Sequence, residues 1–456
     1  MNSYNHDDVW QAPSCNTPLN ATVNIPGSKS LSNRYLILAA LGSKPVVLKG
    51  LLRSRDTELM INALSVFGVK CDSLSCDGTT ICVIPPKNGV FSVDDRAVVN
   101  CGLAGTVMRF VTALALFANN CVKFDGDEQA YARPMKPVLD GLEQLGAKIV
   151  YHGKVGFLPF SVIPPKNLES YGINDAQNSC NNRIIRIDSS SSSQFISALL
   201  LIASRIPGGL CIEHIGSKLP SMPHIRMTME DIRKAGGVVD MPESGVWHVK
   251  EHDLTLPDEV VVEPDLSNAA PFIGAALIAG GCVKIPNWPF ETTQPGGLLP
   301  RILEQMGAEV FLEHESLNSG VLCVKSNGSI KAISNLDLSA AGEITPSIAA
   351  MLAFADGVSE LHGIAHLRGH ETNRLDAIVT ELKRVGIGAE ELDDGIRIIP
   401  SKNMHGEVME TYADHRMATF ASMLGLRIPN ITVKNIATTR KTIPDFPGMW
   451  CKMISK

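Results

Sequence analysis

LDAIVTELKRVGIGAEEL (375–392) reads as an amphipathic helix that stops at a glycine and runs on into a strand. Apolar residues at 375, 378, 379, 382 and 385 fall on one face at the helical period, with Asp376, Glu381, Lys383 and Arg384 elsewhere. Gly386 supplies the left-handed backbone that ends such a helix. The pattern recurs in LMINALSVFGVKC (59–71), PVLDGLEQLGAKIVY (137–151), RMTMEDIRKAGGVVDM (226–241) and LLPRILEQMGAEVFL (298–312). Their closing glycines are Gly68, Gly146, Gly236 and Gly307, so the four steps from Gly68 to Gly386 are 78, 90, 71 and 79 residues. Self-similarity at a fixed period is the signature of a repeat architecture.

A second kind of segment alternates with the first. It is a small or polar residue followed by a nearly all-apolar helix: SLSNRYLILAALG (30–42), AGTVMRFVTALALFA (104–118), SSQFISALLLIAS (192–204), SNAAPFIGAALIAGG (267–281), ITPSIAAMLAFADG (344–357) and DHRMATFASMLGL (414–426). A helix apolar on every side belongs in a core. Short β-rich runs lie between the helices, among them KPVVLKG (44–50), TTICVIP (79–85), CVKIP (282–286) and GIRIIP (395–400). The chain therefore reads as six copies of a β/α unit of roughly 75 residues. The sixth amphipathic helix, around 447–454, is the least regular copy, and the polar run NLESYGINDAQNSCNN (167–182) is an insertion. Six units predict an α/β fold of two pseudo-symmetric lobes, with a break near LPDEVVVEPD (256–265) and a ligand cleft where lobes meet. Residues 1–11 read as a disordered lead.

Composition narrows the class. The 456 residues are 45% hydrophobic and 19% charged, which suits a soluble globular protein with a large core. A formal net charge of −6 argues against general nucleic-acid affinity, so an anionic ligand needs a local basic cluster. No run approaches the ~18 uninterrupted apolar residues of a membrane span. Eleven scattered cysteines without a Cys-x-x-Cys pair, behind an N-terminus lacking a secretory pattern, predict reduced thiols in a cytoplasmic protein.

The serine run of DSSSSSQFISALL (188–200) is explained by the repeat. Ser192 and Ser193 fall where Ser30, Gly105, Ser267 and Thr345 fall in other copies, at a helix start, where hydroxyls cap free backbone N–H groups. Helix starts also attract phosphate and carboxylate. Six cations recur at the unit boundaries of an otherwise acidic chain: Lys29, Arg34, Arg133, Arg374, Arg416 and Lys441. Such a set suits about two phosphates and two carboxylates, since guanidinium groups pair bidentately with both. HETNR (370–374) and DHR (414–416) set Arg374 and Arg416 beside acids able to orient them. His366 and His370 are four apart, but no third ligand follows, and a metal site is not expected.

PGSKSLSNR, GLAGTVMR, ARP, DSSSSSQF, EPDLSNAA, HETNR, YADHRMA and RKTIPDF, in this order, resemble the 5-enolpyruvylshikimate-3-phosphate synthase family from about residue 12 to 446. The resemblance implies a two-lobe inside-out α/β barrel with three βαβαββ repeats per lobe. One lobe would span 27–262 and the other 1–26 plus 263–456, with hinges near 26 and 263. It implies transfer of the enolpyruvyl group of phosphoenolpyruvate to the 5-hydroxyl of shikimate 3-phosphate, in the pathway to chorismate and the aromatic amino acids. No cofactor or metal, no nucleic acid or membrane partner and a monomeric chain would go with it. Shikimate 3-phosphate would meet Lys29, Ser30, Arg34, Ser192, Ser193, Gln194, Ser221 and Glu343, with His366 and His370 nearby. Phosphoenolpyruvate would meet Lys29, Gly105, Arg133, Gln194, Arg374, Arg416 and Lys441. Glu343 and Lys29 would be the catalytic base and acid.

Some positions depart from the family's pattern. Glu343 stands where most members have aspartate, Leu103 where many have asparagine and Phe110 where many have proline. His366 and His370 stand where many have asparagine and lysine. Gly105 implies sensitivity to glyphosate. The sequence leaves two alternatives open. One is the sister enolpyruvyl transferase acting on UDP-N-acetylglucosamine, against which Ser30 follows Lys29 and no cysteine lies near 126–133. The other is a non-catalytic phospho-ligand-binding paralogue.

Overall fold

The computed structural model describes residues 9–168, 183–218, 222–369 and 371–455. The insertion at 167–182 lies almost wholly outside them, as do Ser221 and His370. The chain divides into two compact units, Gly27–Val262 and Met1–Pro26 with Glu263–Lys456. Each has its own apolar core.

Within Gly27–Val262 there are three four-stranded sheets built on one plan. In the middle sheet, Val98–Asn100 pairs in parallel with Val122–Asp125, which pairs antiparallel with Phe160–Ile163, followed by Lys148–Tyr151. The parallel pair needs a crossover, and the apolar segment from Val107 to Phe117 provides it. Arg183–Ile187, Leu210–His214, Val246–Val249 and Val239–Glu243 repeat the plan around the helix Gln194–Ala203. In the remaining sheet the first strand is Glu259–Val261, borrowed from the far end of the unit to pair with Val46–Lys49.

The other unit uses the same plan. Leu19–Thr22 pairs in parallel with Gly281–Pro289, followed by Ser319–Ser326 and Glu309–His314. Leu336–Asp337, Ser359–His362, Gly395–Ile399 and Gly388–Leu392 form the next sheet. The last has three strands: Val408–Met409 beside Thr432–Lys434, with Val9–Gln11 antiparallel on its other side. Residues 9–11 are therefore a strand and not a disordered lead; Trp10 packs edge-on against Phe446 at 6.3 Å between ring centroids.

The helices follow the sequence pattern. Lys29–Leu41, Gln194–Ala203, Leu266–Ala279, Thr345–Leu352 and His415–Gly425 are buried almost throughout. In the second unit three of them meet at Gly274, where an added Cβ would lie 2.8 Å from Met423 Cε and 2.9 Å from Met351 Sδ. The five amphipathic helices end at Gly68, Gly146, Gly236, Gly307 and Gly386, all with φ between +78° and +94°, which other residues adopt at a cost. One apolar segment is irregular. Val107–Val111 is a π-type turn, Thr112–Leu114 α and Ala115–Phe117 3-10. Thr112 Oγ1 donates to Met108 O at 2.6 Å, the kind of back-bond that bends a helix.

Candidate active site

Polar residues collect at the entrances of the buried helices, in two groups that lie in different units. In Gly27–Val262, Ser28 caps the first helix by accepting from Leu31 N at 3.4 Å, so Lys29 and Ser30 occupy its first turn. Lys29 Nζ is 3.4 Å from Asp56 Oδ2, with both side chains largely buried. Asn33 Nδ2 donates to Thr106 Oγ1 at 2.7 Å and ties this helix to the Gly105 turn of the next repeat.

Gly105 marks a convergence. A Cβ there would lie 2.9 Å from Gln194 Oε1, 3.0 Å from Arg133 Nη2 and 3.1 Å from Arg109 Nη1. Residues 105, 133 and 194 belong to three separate segments of the sequence, and the fold brings their polar ends to one spot. Arg133 Nη1 donates to Leu103 O at 2.9 Å, which aims the other guanidinium nitrogen. Gln194 Oε1 is buried without a hydrogen-bond partner, a costly state that a ligand donor would relieve.

Arg109 was not among the expected residues. Its signal was present: it is the only charged residue of AGTVMRFVTALALFA. Its Nη2 donates to Pro134 O at 2.9 Å, and its guanidinium faces the Phe195 ring at 5.5 Å. Burial, with the nearby charge of Arg133, pushes its pKa down to about 9. A poorly compensated buried cation beside Gly105 favours an anion there.

The serine run departs in detail from the expectation. Ser192 Oγ accepts from Gln194 N at 3.3 Å, but the hydroxyl of Ser193 makes no cap. Ser189 lies 3.2 Å from His214 Nδ1, and Ser190 Oγ donates to Asp188 Oδ1 at 2.6 Å. The capping role expected of Ser30, Ser267 and Thr345 also shifts. Ser28 and Asp265 cap their helices, and Thr345 Oγ1 is buried without a partner. Arg34 is buried, donating to Thr228 Oγ1 at 2.8 Å, Ser30 O at 2.9 Å and His224 O at 3.1 Å, with Phe110 stacked at 5.3 Å.

The second group lies in the unit of Glu263–Lys456. Arg374 opens the helix Arg374–Arg384 and is 2% exposed. Its Nε donates to Asp414 Oδ2 at 2.7 Å, and its Nη2 to Asp414 Oδ1 at 3.3 Å and Glu371 Oε2 at 3.0 Å. Lys441 Nζ donates to Glu371 Oε1 at 2.7 Å. Burial alone would raise the Glu371 carboxyl, but Lys441 and Arg374 hold it well below the usual range. Arg416 Nη2 stands 3.5 Å from Glu343 Oε2. Glu371 thus pairs with Arg374 as sequence order suggests, but Asp414 joins it there, and the Arg416 guanidinium faces Glu343 instead. His366 Nε2 packs on Gly342, where a Cβ would meet it at 2.6 Å, so it adjoins Glu343; burial lowers its pKa. His415 is buried, and desolvation followed by the charges of Lys441 and Arg416 keeps its imidazole well below the usual histidine range.

Glu381 also differs from its sequence reading. Placed off the apolar face, its side chain is nevertheless completely buried. Among the described residues no cluster of three or more His, Cys, Asp or Glu could hold a metal ion, and no helix is long and apolar enough to cross a membrane.

Comparison with known proteins agrees over the whole length. The family described as EPSP synthase (3-phosphoshikimate 1-carboxyvinyltransferase) matches residues 14–450. The chain is 61% identical over 451 residues to a curated 3-phosphoshikimate 1-carboxyvinyltransferase of Bifidobacterium longum (strain DJO10A), covering 98% of each chain. A Kocuria rhizophila protein of the same name is 45% identical over 456 residues, covering 99% of this chain and 98% of its own. In fold, the chain superimposes on the EPSP synthase of Acinetobacter baumannii with a TM-score of 0.80 at 22% identity, over 98% of both chains. The six-fold β/α plan, the convergence at Gly105 and these full-length matches lead to one conclusion: this chain belongs to the EPSP synthase (3-phosphoshikimate 1-carboxyvinyltransferase) family.

Proposed function

We propose that this chain transfers the enolpyruvyl group of phosphoenolpyruvate to the 5-hydroxyl of shikimate 3-phosphate, releasing inorganic phosphate, as the step before chorismate in aromatic amino acid synthesis. The observation that carries the reading is the meeting of Gly105, Arg133, Arg109 and Gln194 at one spot, a cationic cluster with an unpaired amide oxygen. In this reading shikimate 3-phosphate is bound by Lys29, Ser30, Arg34, Ser192, Ser193, Gln194 and Ser221, with Glu343, His366 and His370 at its ring. Phosphoenolpyruvate is bound by Lys29, Gly105, Arg133, Gln194, Arg374, Arg416 and Lys441. The protein works as a cytoplasmic monomer on these small anions.

The chemistry follows from charge. Two multiply anionic substrates repel each other, and fixed guanidinium and ammonium groups offset that repulsion. Positioning them for attack supplies up to ~7–11 kcal/mol of the barrier in favourable cases. The 5-oxygen adds to C2 of phosphoenolpyruvate as Glu343 takes the hydroxyl proton, and C3 receives a proton from the Lys29 ammonium. The tetrahedral adduct then collapses. The Lys29 amine removes a proton from C3, the C2–O bond to phosphate breaks, and protonated Glu343 returns its proton to the departing phosphate. Addition and elimination balance without any change of oxidation state, so no electron carrier is called for.

Phosphate release tests the reading. Release from phosphoenolpyruvate that requires shikimate 3-phosphate, and is not supported by UDP-N-acetylglucosamine, is expected. Release independent of shikimate 3-phosphate, or none at all, overturns it.

A further inference from the structure

Two consecutive residues just ahead of the Asp414 cap hold an unusual backbone. Tyr412 has φ +54° and Ala413 φ +55°, the left-handed region, and neither is glycine. Side chains with a Cβ visit that region rarely, and such residues persist only where the surroundings hold them there. Glu381 is the holder. Glu381 accepts from Tyr412 OH at 2.8 Å and from Glu410 N at 3.1 Å, while Arg384 Nε donates to its two oxygens at 3.0 and 3.2 Å. The carboxylate therefore grips both sides of Thr411, whose carbonyl accepts from Asp414 N at 2.8 Å.

The grip has a second end. Glu381 and Arg374 lie on one helix, about 10 Å apart along its axis. Arg374 is held at the helix start by Asp414, the residue that follows the strained pair and accepts from Arg416 N at 2.8 Å. The segment from Glu410 to Asp414 is thus pinned to this helix at two points, Glu381 and Arg374, with the strain stored between them. Releasing the first point lets Tyr412 and Ala413 relax to ordinary backbone, and that rotation carries Asp414, Arg374 and Arg416 with it.

We infer that Glu381 and Tyr412 form a positioning tether that sets Arg374 and Arg416 for phosphoenolpyruvate by holding Tyr412 and Ala413 in the left-handed conformation. The inference rests on the proposed reading that these two arginines bind phosphoenolpyruvate. Neither tether residue touches substrate in that reading.

The experiment is steady-state kinetics on the full chain. Shikimate-3-phosphate-dependent phosphate release by the unaltered protein comes first; its absence sinks the functional reading and not the tether. Tyr412→Phe removes only the hydroxyl donor. It is expected to raise KM for phosphoenolpyruvate about tenfold, as loss of one hydrogen bond to a charged group does, with KM for shikimate 3-phosphate within about twofold. Glu381→Gln gives a second route to the same split should the first variant be insoluble. Adding Ala413→Gly to Tyr412→Phe is expected to restore most of the lost affinity, because glycine adopts the left-handed backbone unaided. Unchanged KM for phosphoenolpyruvate in an active enzyme overturns the tether. So does a parallel rise in both KM values, which marks general loosening, or a double variant no better than Tyr412→Phe.

Discussion

Replacing Gly105 by alanine separates ligand affinity from folding. The added methyl would lie 2.9 Å from Gln194 Oε1, 3.0 Å from Arg133 Nη2 and 3.1 Å from Arg109 Nη1. Ordinary van der Waals contact needs about 3.5 Å or more, so all three polar ends must retreat by roughly half an ångström. Each is the far end of a side chain, which makes the movement cheap for the fold. Gly105 is not left-handed, so the backbone accepts alanine, and loss of a glycine from a helix start favours folding by up to about 0.5–1 kcal/mol. The ligand bears the loss. Misaligning one charge-assisted hydrogen bond is worth about 1.5–3 kcal/mol, or between tenfold and a hundredfold in affinity. The expected outcome is a KM for phosphoenolpyruvate raised about thirtyfold, a smaller rise for shikimate 3-phosphate through the shared Gln194, and a thermal midpoint equal to or above that of the unaltered chain. Glyphosate should lose affinity alongside phosphoenolpyruvate if it competes for the same spot. A Gly105→Ala protein with unaltered phosphoenolpyruvate kinetics would refute the reasoning. So would one whose midpoint falls by several degrees while both KM values climb.

Three further perturbations probe other parts of the structure. Asp414→Asn removes the more buried of the two carboxylates that pair with Arg374, leaving Glu371, and should destabilise the chain by up to about 3–5 kcal/mol in urea titrations; a change below about 1 kcal/mol would contradict the assignment. His415 refuses a proton that the unfolded chain accepts, because its folded pKa is depressed. Its contribution to stability is therefore complete above about pH 6.5 and drains away as pH falls below that value. His415→Gln should lose less stability between pH 7.5 and 5.5 than the unaltered chain, and equal losses would exclude this role. Gly274→Val drives a branched side chain into Met351 and Met423 and should cost about 1–3 kcal/mol, read in the same titration; full stability would show that the three helices can part there.

Local rules made much of the fold legible. A glycine at the end of an amphipathic helix has one job, and all five did it. The all-apolar helices had to be buried, and they are. Pairing across long distances in sequence was not legible. Nothing in VWQ announces that it will lie beside Thr432–Lys434, or in LNAT that it will lie beside Gly281–Lys284, because a strand's partner is set by topology and not by its own composition. In the site, the cations were readable as a set of recurring charges, but their partners were not. Proximity in sequence suggested that Asp414 serves Arg416, whereas the helix cap turns that carboxylate toward Arg374. Glu381 was misread for a similar reason. A one-dimensional helical period counts a carboxylate as solvent-facing, while its donors arrive from Glu410 and Tyr412, about thirty residues on. Arg109 was visible as a lone charge in an apolar run, a mark that packing alone does not explain.

The borrowed strands bear on how the chain comes off the ribosome. Gly27–Val262 is self-sufficient once Glu259–Val261 has been synthesised, since that strand closes its last open sheet. The N-terminal strands emerge first and wait longest. Leu19–Thr22 has no edge to join until Gly281–Lys284 appears, and Val9–Gln11 none until Thr432–Lys434 does. At about 10 residues per second that second wait is roughly forty seconds, with unpaired backbone exposed throughout. Nascent-chain aggregation should therefore be most sensitive to changes within Val9–Gln11 and Leu19–Thr22, which carry no residue of the proposed site.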